Sequence, residues 1–411
     1  MAQRLHRFLS RRLGAVATIA LAQLFGTSLW FSANGAAADV MRAWDVGALE
    51  IGWLTSAVQA GFILGTLAIS LSGYADRFRA SSIFTVSALA GACFNAGFAW
   101  LAQGMAAGLA YRFLVGICLA GIYPMGMKLI VRWAPDRAGW ALAQLVAMLT
   151  MGTALPHILK ILGTDMPWRA VITASSVLAV LAACLVAALG DNDAAAGPAP
   201  GAPRPGAGRG WQVFRLPAFR AAATGYFGHM WELYAFWTVV PLYVAATDLP
   251  RTIGLGSGPG GVSVLAFAVI AAGALGCVAG GALSRRLGSA RVAAGALALS
   301  GSCCLIFALG WRDLPGPALL IVLLAWGAAV IADSPHFSAL SAQACPAGQM
   351  GSALALQNSI GFAITVISIS ATVYAFERIG ADSAWVLLPG PALGLLAFLR
   401  PGLRPRPANI P

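Results

Sequence analysis

The sequence predicts an all-α membrane protein: twelve transmembrane helices in two pseudo-symmetric six-helix halves. Three observations predict it. Apolar runs of about 20 residues recur along the chain, the arginines between them favour one side, and the second half repeats features of the first about 210 residues later. Of 411 residues, 59% are hydrophobic and only 10% charged, against about 25% charged in soluble domains. Period-two alternation is missing, which argues against an outer-membrane barrel.

The spans fall near residues 14–36, 50–74, 82–103, 106–131, 139–162 and 168–190, then 217–245, 261–284, 291–311, 316–340, 351–376 and 383–400. The first follows a basic segment, MAQRLHRFLSRRLG. Its apolar run is longer than a signal-peptide core, and no small-residue cleavage site follows, so it reads as a retained helix. The second to sixth are near-continuous apolar runs separated by short polar turns. The stretch 191–211 begins DNDAAAGPAPGAPRPGAGRG; it is too rich in Pro, Gly and Ala to build a core and reads as a linker. It separates an N-terminal bundle, 1–190, from a C-terminal bundle, 212–411. The seventh span is rich in aromatics, the eighth in glycine at Gly273, Gly276, Gly280 and Gly281, where close helix contacts are expected. The tenth contains Pro335, and the twelfth is interrupted by Pro389, Gly390 and Pro391.

With the N-terminus inside, eighteen arginines fall on cytoplasmic segments and five (Arg42, Arg169, Arg251, Arg312 and Arg378) on outer ones. That bias follows the positive-inside rule, places both termini in the cytoplasm and fits a bacterial inner membrane. It also accounts for the net charge of +12 without a nucleic-acid partner. The seven cysteines lie in or beside apolar runs with no CxxC pair, so neither a disulfide framework nor a zinc site is expected.

The repeat is carried by three matches in the same order. Gln23-Leu24-Phe25 lies against Glu232-Leu233-Tyr234. Gly116 to Pro124 lies against Gly327 to Pro335, with the same Gly-to-Pro spacing. Gly139-Trp140-Ala141-Leu142-Ala143 lies against Gly351-Ser352-Ala353-Leu354-Ala355. Duplicated helical halves around a central site are a transporter design.

Over its whole length the chain resembles the major facilitator superfamily. That family's motif between helices 2 and 3, roughly G-x-L-a-D-R-x-G-R, is matched by Ser72-Gly73-Tyr74-Ala75-Asp76-Arg77-Phe78-Arg79, with Ser72 and Arg79 in place of glycines. A second copy, Gly281 to Gly288, keeps both glycines and puts Arg285 at the acidic position. The helix-4 motif is matched by Arg112, Gly116 and Gly121. The resemblance implies a site between the halves lined by helices 1, 4, 7 and 10, and a conformational role for Gly73, Asp76, Arg77, Arg112, Gly116 and Gly121. Helix 5 reads Gly152-Thr153-Ala154-Leu155-Pro156 instead of the antiporter pattern, and helix 2 lacks the arginine of nitrate porters. Both departures argue against those substrates.

Four ionisable residues lie inside apolar runs, where they cost free energy and mark function. His229 and Glu232 share one face of the seventh helix, and Asp333 and His336 share one face of the tenth. Glu232 lies about 22 Å along its helix, near the bilayer middle. These four are the candidate proton-coupling groups. Pro335 frees the carbonyl near Ile331, which reads equally as part of a cation or proton site or as a plain kink. Candidate solute contacts are Gln23, Trp30, Tyr123, Lys128, Tyr234, Gln357 and Asn358. Of the adjacent Gln357 and Asn358, at most one reaches the site. Lys160 reads as a snorkelling side chain.

These features describe a proton-coupled secondary transporter, not an enzyme. It needs no cofactor or metal, is monomeric in the lipid bilayer, and moves a small organic solute, with a carboxylate or other anionic metabolite and import favoured. Proton-driven efflux of a cationic or amphiphilic compound is the alternative. The two histidines and two carboxylates also match the donor count of an intramembrane metalloenzyme.

Overall fold

The structure is a computed structural model, and it describes residues 6, 8–72, 78–162, 167–192, 210–256, 258–346 and 350–400. The described residues are helical or irregular, with no strand among them. We number the spans α1 (Ala15–Thr27, resumed at Ser32–Gly35), α2 (Ala48–Ser72), α3 (Ala80–Trp100), α4 (Met105–Trp133), α5 (Ala138–Leu162) and α6 (Trp168–Leu189). The second half comprises α7 (Pro217–Ala246), α8 (Pro259–Leu287), α9 (Ser289–Gly310), α10 (Gly316–Ala332, resumed at Ser334–Ala344), α11 (Met350–Ile379) and α12 (Pro389–Phe398). Among the described residues nine segments are long and apolar enough to cross a membrane. One of them, Ala353–Phe398, folds as both α11 and α12. The short α1 and the polar-studded α7 complete the twelve. The expected linker falls largely on residues 193–209, outside the described residues.

Side-chain contacts show that successive helices alternate in direction. At one end, Arg79 pairs with Asp191 at 3.2 Å, Trp133 Nε1 donates to the Gly190 carbonyl at 3.2 Å, and Asn192 reaches the Arg132 carbonyl. At the opposite end, Arg169 donates to the Ala99 carbonyl, Trp100 to Thr173, and Arg312 to Asp382. We call the first the basic end and the second the mixed-charge end. At the mixed-charge end Lys160 pairs with Asp39, so it is held by an acid and not merely snorkelling.

Glycine sets the packing inside each half. A Cβ on Gly116 of α4 would strike the Val58 carbonyl of α2, and one on Gly327 of α10 would strike the Val269 carbonyl of α8. Gly65 faces Ile117 O as Gly276 faces Ala328 O. The same backbone contact thus recurs at the repeat offset seen in the sequence, and only a residue without Cβ permits it. Between the halves, α5 packs on α8 and α2 on α11. Gly273 of α8 lies against Thr150 of α5, and Gly52 of α2 against Val373 of α11. Glu377 Oε1 of α11 accepts a hydrogen bond of 2.7 Å from the backbone N–H of Leu49 at the start of α2, capping that helix across the seam.

Three spans differ from the sequence expectation. The continuous helix over 14–36 breaks at residues 28–31, because Arg112 takes up the carbonyls of Leu29 and Trp30. The tenth span breaks at Asp333, two residues before Pro335, which has no N–H to continue the ladder. The exposed carbonyl of Ile331 receives Cys277 Sγ of α8 at 3.7 Å, so it serves a helix contact. The twelfth span opens as a 3₁₀ turn, Gly380–Val386, before α12 begins at Pro389.

Candidate functional site

Three groups of buried polar residues bear on the site. In the N-terminal half, Arg112 is fully buried. It donates to Leu29 O at 3.1 Å, Ser32 Oγ at 3.0 Å and Asn95 Oδ1 at 3.2 Å, and also to Trp30 O. Asn95 of α3 is fixed in turn by Ile172 O and Ser176 Oγ of α6. The guanidinium therefore ties α4 to α1, α3 and α6 through neutral acceptors alone. Gly121 of α4 lies against Ser87 of α3. Gly73, Asp76 and Arg77 lie outside the described residues.

In the C-terminal half, the pairing differs from the one read along the sequence. His229 does not partner Glu232, nor Asp333 His336. His229 Nδ1 of α7 meets Asp333 Oδ1 at the break in α10, at 2.7 Å, with both side chains inaccessible. The contact lacks hydrogen-bond alignment and leaves His229 Nε2 and Asp333 Oδ2 without partners. Glu232 instead accepts Ser300 Oγ of α9 at 2.8 Å and Trp326 Nε1 of α10 at 2.7 Å. It is fully buried with two neutral donors and no cation among the described residues. Sequence spacing placed each acid on a helix face, but could not name the partner on another helix. Ser300 and Trp326 were not singled out, since one hydroxyl and one indole in apolar runs carry no signal of their own.

At the seam between the halves, α1, α2, α7 and α11 contribute a cluster of buried aromatics. The Trp30 ring lies 5.6 Å from Tyr234, 4.9 Å from Phe62 and 5.9 Å from Phe362. Phe31 and Trp237 extend it toward the mixed-charge end. The rings close on one another, so this conformation is shut at mid-depth. Three amides near it are fully buried, Gln23 of α1 and Gln357 of α11 on its basic-end side and Gln59 of α2 one turn from Phe62 toward the mixed-charge end, with neither the oxygen nor the nitrogen of any of them bonded. The Trp30 and Trp237 indole N–H groups are likewise unbonded. Asn358, next to Gln357, is half-buried, which agrees with only one of the two facing inward. Gln59 escaped the sequence reading as a single polar residue in an apolar run.

Tyr123 of α4 is half-buried and within electrostatic reach of Tyr226 and Tyr234. Lys128, a turn and a half from the basic end of α4, is half-buried. His336 is 5% exposed and lines a cavity of about 400 Å³ at the basic end. Among the described residues no three His, Cys, Asp or Glu side chains are grouped to hold a metal ion.

A twelve-helix bundle with duplicated glycine seams and a polar, aromatic interface between its halves defines a multi-pass membrane transporter. The chain belongs to the Major Facilitator Superfamily, whose family model matches residues 19–369. It is 29% identical over 134 residues to the niacin transporter NiaP of Acinetobacter baylyi (strain ATCC 33305 / BD413 / ADP1). That match covers 29% of this chain and spans only 28% of the relative's length. Its fold matches a crystal structure of a mutant nucleoside transporter NupG with a TM-score of 0.71. That match covers 93% of this chain and 98% of the other at 12% identity.

Proposed function

We propose that the chain is a proton-coupled secondary transporter. It moves a small organic solute bearing a planar ring and a carboxylate inward with protons. The observation that carries this reading is the buried His229–Asp333 contact at the break in α10. A buried carboxylate facing an imidazole without full hydrogen bonding is poorly compensated in a membrane interior, so in this reading a proton taken up at the contact changes what holds α7 to α10 there. Glu232, with no counter-ion, is the second proton-accepting group, and His336 connects Asp333 to the basic end. The aromatic cluster supplies a stacking wall, and the unbonded amides of Gln23 and Gln357 supply polar contacts to the solute. Tyr123 and Lys128 flank the approach from the basic end.

The likeness to a niacin transporter and to a nucleoside transporter supports a planar nitrogen heterocycle, which both of those solutes contain. Cation efflux is less well supported, because Asp333 and Glu232 are already engaged by protein groups. In this reading the protein is a monomer of the bacterial inner membrane. The basic end is cytoplasmic, both termini lie on that side, and the linker 191–211 joins the bundles 1–190 and 212–411.

The test is uptake of radiolabelled niacin and of a nucleoside into proteoliposomes under an imposed pH gradient. Gradient-driven accumulation of niacin is expected, lost in Asp333→Asn with solute exchange retained; accumulation of the nucleoside alone would remove the carboxylate from this reading. Full accumulation by Asp333→Asn would remove the coupling role.

A further inference from the structure

The cavity at the basic end is chemically distinct from the aromatic seam. It is walled by Trp140 and Gln144 of α5 on one side, by Ser284 and Arg285 of α8, and by Pro335 and His336 of α10, with Ser289 at its rim. No lining residue is acidic. Arg285 is exposed and, like its neighbours Arg286 and Arg291, forms no ion pair among the described residues; of the three it alone lines this cavity. The His336 ring is almost wholly buried and in electrostatic reach of the Gly280 backbone, yet its Nε2 has no aligned hydrogen-bond partner. Gly280 makes room for it: a Cβ there would lie 3.3 Å from Nε2. A buried ring nitrogen left open beside a cavity costs free energy unless something occupies it.

We propose that this cavity is an anion site, which receives the carboxylate of the solute between the aromatic seam and the basic-end water phase. Arg285 supplies charge, His336 an N–H donor, and Ser284, Ser289 and Gln144 neutral donors, a set that suits a monoanion of modest size. Its position gives it a second property. One wall belongs to the first half and the others to the second, so the site exists only while α5 and α8 are together at this end. His336 lies one turn from Asp333, so the site touches the element that carries the proposed coupling pair. This inference rests on the transport reading for the identity of its ligand, but not for the existence of the site.

Benzoate is the probe, titrated by calorimetry into the full-length protein in phosphatidylcholine nanodiscs, with benzylamine as the cationic control. Benzoate should bind and benzylamine should not. Arg285→Gln should weaken benzoate about fivefold, His336→Phe about tenfold, and Arg285→Lys should restore most of the affinity. The same pattern in Tyr234→Ala, which disrupts the aromatic seam, assigns the binding to the basic-end cavity. Equal affinity in all variants overturns the proposal. So does displacement of benzoate by phosphatidylglycerol added to the nanodisc, which would make a lipid headgroup the occupant. Arg285-dependent benzoate binding without any gradient-driven uptake would leave the site standing and remove the transport reading instead.

Discussion

Each half buries charge, but of different kinds. The N-terminal half holds a permanent cation, Arg112, whose two terminal nitrogens donate to Leu29 O, Trp30 O, Ser32 Oγ and Asn95 Oδ1 while Nε has no partner. The C-terminal half holds an imidazole and two carboxylates, His229, Asp333 and Glu232, bound by Ser300, Trp326 and one another. A guanidinium does not give up its proton in a protein, so surrounding it with dipoles makes an anchor. A carboxylate facing an imidazole suits the moving part proposed above, because protonation changes the attraction between such groups. In the proposed transport cycle the two copies of one helical plan divide the work: one half stays fixed around its ion, the other adjusts around its own.

The most damaging way to break this comparison is at the anchor. Arg112→Met keeps the volume but takes one bond from each of four acceptors, of which Leu29 O and Asn95 Oδ1 keep Ser32 Oγ as a donor, and should cost roughly 3–5 kcal/mol. The readout is loss of monodisperse protein after mild heating; full stability and full uptake in this variant would show that Arg112 is not an anchor. Next come Asp333→Asn and Glu232→Gln. Both should stay folded, within about 2 kcal/mol of the parent, while gradient-driven accumulation falls to background and exchange persists. A variant that failed to fold would mean its acid is an anchor too.

Smaller effects sharpen the shared part of the plan. Gly116→Ala and Gly327→Ala each push a methyl into a carbonyl of the neighbouring helix. Each should destabilise by about 1–3 kcal/mol, and melting of the two variants should agree. A large disparity would show that only one seam matters. Smallest is Glu377→Gln, which weakens the cap on α2 by about 1 kcal/mol. A cysteine at Thr238, near the mixed-charge end of α7, should then label a few-fold faster from that side. Unchanged labelling would mean that the cap does not hold the end shut.

Much of the fold was legible because hydropathy and arginine bias act on whole segments. The twelve spans, their alternation and the close glycine contacts of α8 follow from period and composition. The break in α1 was not, since residues 28–31 (Ser-Leu-Trp-Phe) contain neither proline nor glycine. Its cause is Arg112, some eighty residues away on another helix. The break in α10 was half legible, because Pro335 announces it but Cys277, which takes up the Ile331 carbonyl, does not. Within the site, four ionisable residues stand out by their cost in an apolar run. Their partners do not, because spacing reports which face a residue occupies and says nothing of the helix opposite. Gln59 shows the same limit: it becomes notable only once its amide is seen buried and unbonded.

The duplicated glycine seams also bear on how the chain assembles. Val58 and Gly116 are separated by about 60 residues, and Val269 and Gly327 by the same stretch. The contact between Gly52 and Val373 spans more than 300. Short loops close at low entropic cost and early, so each seam can form while its own half is being synthesised. The α2–α11 and α5–α8 contacts must wait for the whole chain. In the proposed transport cycle the surfaces that form last are the ones that later part, and the surfaces that form first are the ones that never need to.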